Sequence, residues 1–142
     1  LRTPNWPSEA FMNRIYVPNT SHLPSILPIR SEPKDYVLDP PLSKYGKAHA
    51  YHTGEYFRSI GFKLDRVYTS PAVRCVQTAD SVLGGLGMHH RRSLRVDLAL
   101  HEPTRRLLPL QSTSCLLSGG FRVDMKYRPL LLSNKTNKVK IL

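Results

Sequence analysis

The feature that most constrains this chain is a strand-to-helix junction with the sequence Val-Tyr-Thr-Ser-Pro-Ala-Val-Arg at residues 67–74. The β-branched and aromatic residues at its start favour a short strand. Ser70 is a favoured helix N-cap, and Pro71 suits the first helical position because its missing N–H would have no partner there. Arg74 then falls in the first turn. A guanidinium at that end of a helix, beside the carboxyl end of a strand, is suited to holding a phosphate group.

Helices and strands are predicted to alternate along the middle of the chain. A first helix is predicted over residues 43–60, with Ser43 as its N-cap and Gly61 as its stop. The elements predicted after it are a strand over 65–69, a helix over 70–86 and a strand over 93–98. This order predicts an α/β sandwich with parallel strands.

Both helices carry apolar residues at three- and four-residue spacing, which predicts one buried face on each. The set in the first helix is Tyr45, Ala48, His52, Tyr56 and Ile60. The set in the second is Val73, Val76, Ala79, Leu83 and Leu86. Gly84, Gly85 and Gly87 are expected to end the second helix, because glycine tolerates left-handed backbone angles.

The two ends of the chain are predicted to differ from its middle. Residues 1–41 are rich in proline and read as an arm without regular structure, in which we expect Trp6 to be a core residue. Residues 42–130 form the α/β part, with a short helix at most between residues 106 and 119. Residues 131–142 are a basic tail whose structure the sequence does not indicate.

The charge of the chain is strongly positive. Its 142 residues carry 21 Lys and Arg against 10 Asp and Glu, a formal net charge of +11. Such a balance attracts phosphorylated ligands, nucleic acid or acidic membrane surfaces. The sequence has no zinc-finger spacing, RRM-like motif or basic heptad region, which disfavours nucleic-acid binding. A solvated basic surface accounts for most of these side chains.

Cysteine and histidine positions argue against metal sites and disulfides. Cys75 and Cys115 are too few and too far apart for a disulfide framework or a zinc site. Both fit a reducing compartment, so a cytoplasmic location is predicted. His49 and His52 are three residues apart on the first helix, but no third ligand is placed to complete a metal site. No apolar run approaches the length of a membrane span.

The junction around Arg74 resembles the second signature of the histidine phosphatase superfamily, branch 1, the phosphoglycerate-mutase-like enzymes. The segments Asp39-Pro40-Pro41-Leu42-Ser43 with Gly46, and Leu100-His101-Glu102, extend the resemblance. Within the superfamily the middle of the chain is most similar to the phosphatase domains of the suppressor of T-cell receptor signalling (TULA) proteins and of ecdysteroid-phosphate phosphatase.

The resemblance implies a three-layer α/β/α sandwich and assigns two site residues. Arg74 matches the arginine that holds the phosphoryl group, and Glu102 matches the general acid that protonates the leaving oxygen. Pro103 stands where the most similar branch usually has tryptophan, which affects the loop geometry rather than the carboxylate. Arginines replace a metal in this family, so no cofactor is expected. Ser70 and Thr78 are interpreted as capping and packing residues.

The family's catalytic histidines have no counterpart in the sequence. The nucleophile of the family lies in an Arg-His-Gly motif and a second histidine in a Ser-His-Gly-like motif, and none of the six histidines here fits either. The function predicted is therefore phosphatase-like, with no hydrolysis expected of the chain as it stands. One alternative is a pseudophosphatase that binds phosphorylated proteins or small phosphate esters. Another is a basic adaptor that binds nucleic acid or acidic lipid.

The missing motifs also affect the expected sheet. They belong to the first and last strands of the family's fold, so the sequence predicts an incomplete sheet with open edges. Open edges and an uncovered core favour association between copies. We therefore expect marginal stability or self-association.

Overall fold

The computed structural model describes residues 6–18, 23–24, 26–28, 30, 35–101, 112–129, 131–133 and 139–141. These residues form an α/β fold, as predicted from the order of the elements. Its centre is a parallel strand pair with one long helix against it and a second long helix packed on the first.

The proline-rich arm contains regular structure, so the prediction of an arm without it is wrong. Helix α1 covers Trp6–Ala10, strands β1 (Phe11–Met12) and β2 (Ile15–Tyr16) pair antiparallel, and helix α2 covers Asp35–Leu38. These elements enclose an apolar cluster of their own, in which Trp6 is buried as predicted. Its buried members are Trp6, Ala10, Leu23 and Tyr36. Proline is tolerated there because the elements are short and meet through side chains.

Helix α3 covers Lys44–Ser59 and begins as predicted. The Ser43 hydroxyl accepts a hydrogen bond from the Gly46 N–H at 3.1 Å, which satisfies one of the free donors of the first turn. Beyond the helix, Gly61 adopts a φ of +68°, consistent with its predicted role as the stop.

The predicted buried face of α3 is wrong. Tyr45, Tyr56 and Ile60 are 54%, 61% and 57% exposed, whereas Ala50 and Gly54 are buried. The side of α3 with small residues faces helix α4, because only small residues let the two backbones approach closely. The larger aromatic residues lie on the outer side.

Helix α4 covers Val73–Leu86 and crosses α3 at a pair of glycines. A Cβ atom added to Gly54 would lie 2.1 Å from the carbonyl oxygen of Val82, and one added to Gly85 would lie 2.0 Å from that of Tyr51. The backbones are therefore in direct contact. Gly85 lies inside the helix rather than ending it, and Gly87, with a φ of +73°, is the residue that terminates α4.

Strands β3 (Val67–Thr69) and β4 (Leu94–Val96) pair in parallel, as predicted. The apolar stripe of α4 packs against them, and the resulting core has Val76, Leu83, Leu94 and Leu116 as its buried members. A third segment continues the sheet, since Leu94 N–H donates to the Arg122 carbonyl at 2.7 Å and Asp124 N–H donates to the Leu94 carbonyl at 2.8 Å.

The remaining elements follow the central unit. A 3-10 turn covers Leu98–Leu100, and helix α5 covers Thr113–Ser118, which is the short helix predicted there. In the tail, β5 (Leu131–Ser133) and β6 (Val139–Ile141) pair antiparallel. Within the described ranges no helix has the length and apolar character needed to cross a membrane.

Candidate functional site

The amino end of α4 is capped by a carboxylate from a distant part of the chain. Asp39 is fully buried, and its two carboxylate oxygens accept the Val73 N–H at 3.0 and 3.1 Å. Ala72, and not Ser70, holds the N-cap position, and its side chain makes no capping bond. The predicted local cap is therefore wrong. A carboxylate at this position satisfies a free donor and interacts favourably with the positive end of the helix dipole.

Two arginines lie beside the same carboxylate, each near a different oxygen. Arg30 hydrogen-bonds Asp39 Oδ2, and Arg74 Nη1 lies 3.6 Å from Asp39 Oδ1. The Arg30 side chain is 5% exposed, whereas that of Arg74 is 42% exposed. Arg30 therefore balances the charge of Asp39 internally, and Arg74 remains available to a ligand.

The segment that carries Asp39 is also fixed to α4 farther along. The Leu42 N–H donates to Gln77 Oε1 at 2.7 Å, and the Gln77 side chain is buried. Ser43, the next residue, caps α3. The segment from Asp39 to Ser43 therefore joins the start of α3 to the first two turns of α4.

The carboxyl ends of β3 and β4 meet beside this capped helix end. The Asp97 N–H donates to the Thr69 carbonyl at 2.9 Å, and His101 Nδ1 lies 3.4 Å from Ser70 Oγ. The loop that leaves β4 therefore returns to the end of β3 and the residue that follows it. Glu102, the predicted general acid, lies outside the described residues, and its role stays a prediction.

The arrangement favours binding of an oxyanion. Arg74 offers a partly exposed guanidinium at the carboxyl edge of the sheet, which is where α/β folds bind phosphate groups. Thr78 Oγ1 bonds the Arg74 carbonyl at 2.8 Å, so this hydroxyl supports the helix backbone and is not aimed at a ligand. Among the described residues no group of three or more His, Cys, Asp or Glu side chains could hold a metal ion.

The sequence indicated Arg74 as a site residue, which stays a prediction, but not the residues that surround it. In the sequence Asp39 stands out only as part of the Asp39-Pro40-Pro41-Leu42-Ser43 motif, and Arg30 carries no signal because nothing in a proline-rich arm singles out one arginine. The signal for Asp39 is indirect. This residue follows a short helix and precedes two prolines, so its carboxylate does not cap a helix that begins next to it in the chain.

A second polar cluster lies across β3 and β4 and was also missed. Arg95 Nε donates to Asp124 Oδ2 at 3.0 Å, and its Nη1 donates to the Tyr68 hydroxyl at 3.0 Å. These bonds lower the pKa of both Tyr68 and Asp124. Tyr127 donates to the buried carboxylate of Asp97, and this bond raises the pKa of Tyr127 to about 12.

The hydrogen bond from Tyr127 to Asp97 should stop stabilising the fold at high pH. Because the folded-state pKa of about 12 lies above the ordinary tyrosine pKa of about 10, the stabilisation from this bond is complete below pH 10 and disappears as the pH rises toward 12. A titration of tyrosinate absorbance should show Tyr127 ionising later than Tyr68. In the Tyr127→Phe chain the tyrosine ionisation at the highest pH should be absent. Loss of an ionisation at the usual tyrosine pH instead would contradict the assignment.

Comparison with known proteins identifies a family over the middle of the chain. The model of the histidine phosphatase superfamily (branch 1) matches residues 35–102. Ecdysteroid-phosphate phosphatase of Bombyx mori is 35% identical over 129 residues, which cover 87% of this chain and 20% of that protein. Ubiquitin-associated and SH3 domain-containing protein B of Homo sapiens is 34% identical over 131 residues, which cover 87% of this chain and 20% of that protein.

A solved structure gives the same indication. The crystal structure of ecdysone phosphate phosphatase from Bombyx mori in complex with tungstate matches with a TM-score of 0.84 at 32% identity, over 94% of this chain and 54% of that one. The chain spans about a fifth of the length of the curated relatives it matches.

Proposed function

Residues 35–102 belong to the histidine phosphatase superfamily, branch 1, and from this premise we propose that the chain binds the phosphoryl group of a phosphate monoester at Arg74. The observation that carries the proposal is the position of Arg74. Its guanidinium lies at the start of α4, is 42% exposed and is held beside a buried carboxylate. An always-charged planar fork in this place can bind two non-bridging phosphate oxygens at once.

The proposed chemistry is phosphatase-like, the hydrolysis of a phosphomonoester. Arg74 neutralises the charge on the phosphoryl oxygens, and Glu102 donates the proton to the leaving oxygen. In the family a histidine accepts the phosphoryl group, a residue for which the present sequence has no matching motif. We also propose that the fold is a three-layer α/β/α sandwich, that the protein is cytoplasmic and that the reaction uses no metal.

The substrate class proposed is a phosphorylated protein or a small phosphate ester. The matching relatives include proteins named for ecdysteroid-phosphate, a small ester, and others named for ubiquitin-associated and SH3 domains. The net charge of +11 supports attraction to either kind of anionic ligand.

A second candidate is a non-catalytic module that binds phosphorylated partners. It is favoured by the absence of an Arg-His-Gly motif from the sequence. An assay with p-nitrophenyl phosphate separates the two functions. Binding of a phosphate analogue together with turnover supports the enzyme, and binding without turnover supports the module.

Removing the Arg74 guanidinium should abolish most of the anion affinity. Since a hydrogen bond to a charged group contributes about 1.5–3 kcal/mol, Arg74→Ala should weaken tungstate binding roughly ten- to hundredfold. Isothermal titration of the purified chain measures this. Arg58→Ala is the matched control, because Arg58 is a 58% exposed helical arginine that lies 4.0 Å from the Glu55 carboxylate. Equal losses in the two variants would indicate non-specific attraction by the basic surface.

A further inference from the structure

We propose that Asp39 is a positioning residue that sets the orientation of the Arg74 guanidinium, with Arg30 as the buried counter-ion that makes this possible. The inference rests on the proposed function, since it concerns how the same phosphate site is built. It adds two residues, both from the arm, to a site in which the sequence indicated only Arg74 and Glu102.

The Asp39 carboxylate is a fixed point in the structure. It is fully buried, and both oxygens accept the Val73 N–H, so rotation of the carboxylate would break a backbone hydrogen bond at the start of α4. Arg30 holds Oδ2 from the other side. The carboxylate can therefore act as a reference for a third group, and Arg74 is that group.

The distance between Asp39 and Arg74 is suited to orienting the guanidinium without a direct hydrogen bond. Arg74 Nη1 lies 3.6 Å from Asp39 Oδ1, longer than the roughly 2.7–3.2 Å of a direct N–H···O hydrogen bond. The attraction fixes which side of the guanidinium faces the protein. A guanidinium has five N–H donors, so the side away from Asp39 keeps donors for an oxyanion.

Arg30 removes the disadvantage of a carboxylate beside a phosphate site. An uncompensated negative charge so close to Arg74 would repel the ligand and weaken the arginine's field. The Arg30 side chain is only 5% exposed and hydrogen-bonds Asp39 Oδ2, so its positive charge offsets that of the carboxylate. The Arg30–Asp39 pair is neutral overall, and the positive charge of Arg74 remains for the ligand.

The arm fixes this pair through its own apolar cluster. Tyr36, a buried member of that cluster, donates its hydroxyl proton to the Pro28 carbonyl at 2.6 Å. Pro28 lies two residues before Arg30, and Tyr36 three residues before Asp39. Folding of the arm therefore brings Arg30 and Asp39 to a defined separation.

A charge-neutral double variant separates positioning from stability. Arg30→Met with Asp39→Asn removes one positive and one negative charge, so the net charge of the pair is unchanged and neither member is left facing a removed counter-charge. Thermal unfolding and titration with sodium tungstate are measured for the wild type, for Asp39→Asn and for the double variant, each titrated below its unfolding temperature. Asp39→Glu is added because it keeps the charge but moves the carboxylate by one methylene.

If Asp39 positions Arg74, the unfolding temperature and the tungstate affinity of the variants should not change in parallel. The double variant should regain part of the unfolding temperature lost in Asp39→Asn, yet bind tungstate about tenfold more weakly than the wild type, and Asp39→Glu should also bind more weakly. Tighter binding by Asp39→Asn, or a double-variant Kd within about twofold of the wild-type value, would overturn the positioning role while leaving the phosphate site standing. If the wild-type chain itself does not bind tungstate, the proposed function fails and the positioning role fails with it.

Discussion

The Asp39→Ala chain is expected to lose about 3–5 kcal/mol of unfolding free energy, because removing one member of a buried ion pair leaves the other charge without its partner. Arg30, whose side chain is 5% exposed, would lose its ion pair with Asp39. The Val73 N–H loses its acceptor at the same time, and a lost helix cap costs about 0.5–2 kcal/mol in other proteins. Urea denaturation followed by far-UV circular dichroism measures the loss.

Asp80→Ala is the matched control for this prediction. Asp80 also lies on α4 and pairs with a basic side chain, His89, at 2.6 Å, but its side chain is 27% exposed and that of His89 is 37% exposed. Partly exposed pairs contribute about 0–1 kcal/mol, so this variant should change stability little. Similar losses in the two variants would show that Asp39 does not carry a special share of the stability.

The Gly85→Ala chain is expected to be destabilised by about 3 kcal/mol or more, because overpacking a tight contact costs typically 1–3 kcal/mol and this contact is with backbone. The new Cβ would lie 2.0 Å from the Tyr51 carbonyl oxygen and 2.8 Å from the Glu55 nitrogen. Neither atom can move without shifting helix α3. The two helices would have to separate, which would disturb the segment from Asp39 to Ser43 that joins them. Thermal unfolding of the purified chain measures the effect.

Gly84→Ala tests the same substitution one residue away. Its Cβ would meet only the Tyr51 ring, at 3.4 and 3.5 Å, where an aromatic side chain can adjust. Alanine is favoured over glycine inside a helix by about 1 kcal/mol, so this variant should be unchanged or slightly more stable. A stable Gly85→Ala chain, or an equally damaged Gly84→Ala chain, would contradict the close crossing at Gly85.

These predictions connect the fold to the candidate site. The helix crossing at Gly54 and Gly85 fixes α3 against α4, and the Leu42–Gln77 hydrogen bond fixes the linking segment. Asp39 then reaches the start of α4 from that segment. The position of Arg74 therefore depends on contacts that run from the start of α4 to Gly85 near its end.

The sequence by itself determined the features that neighbouring residues encode. The strand before Ser70, the cap of α3 at Ser43 and the apolar stripe of α4 follow from residue preferences within a few positions. Hydrophobic periodicity is local and predicted the helices and strands, and their order along the chain predicted the parallel pair.

Only the tertiary structure decided which distant groups meet. The cap of α4 comes from a residue 34 positions away, and the buried side of α3 is the one with glycine and alanine because another helix lies against it. The periodicity of Tyr45, Tyr56 and Ile60 indicated a helix correctly but not the side it buries. Local patterns report the conformation of a segment, whereas burial and pairing depend on free energies of contact between segments, which a neighbouring residue cannot encode.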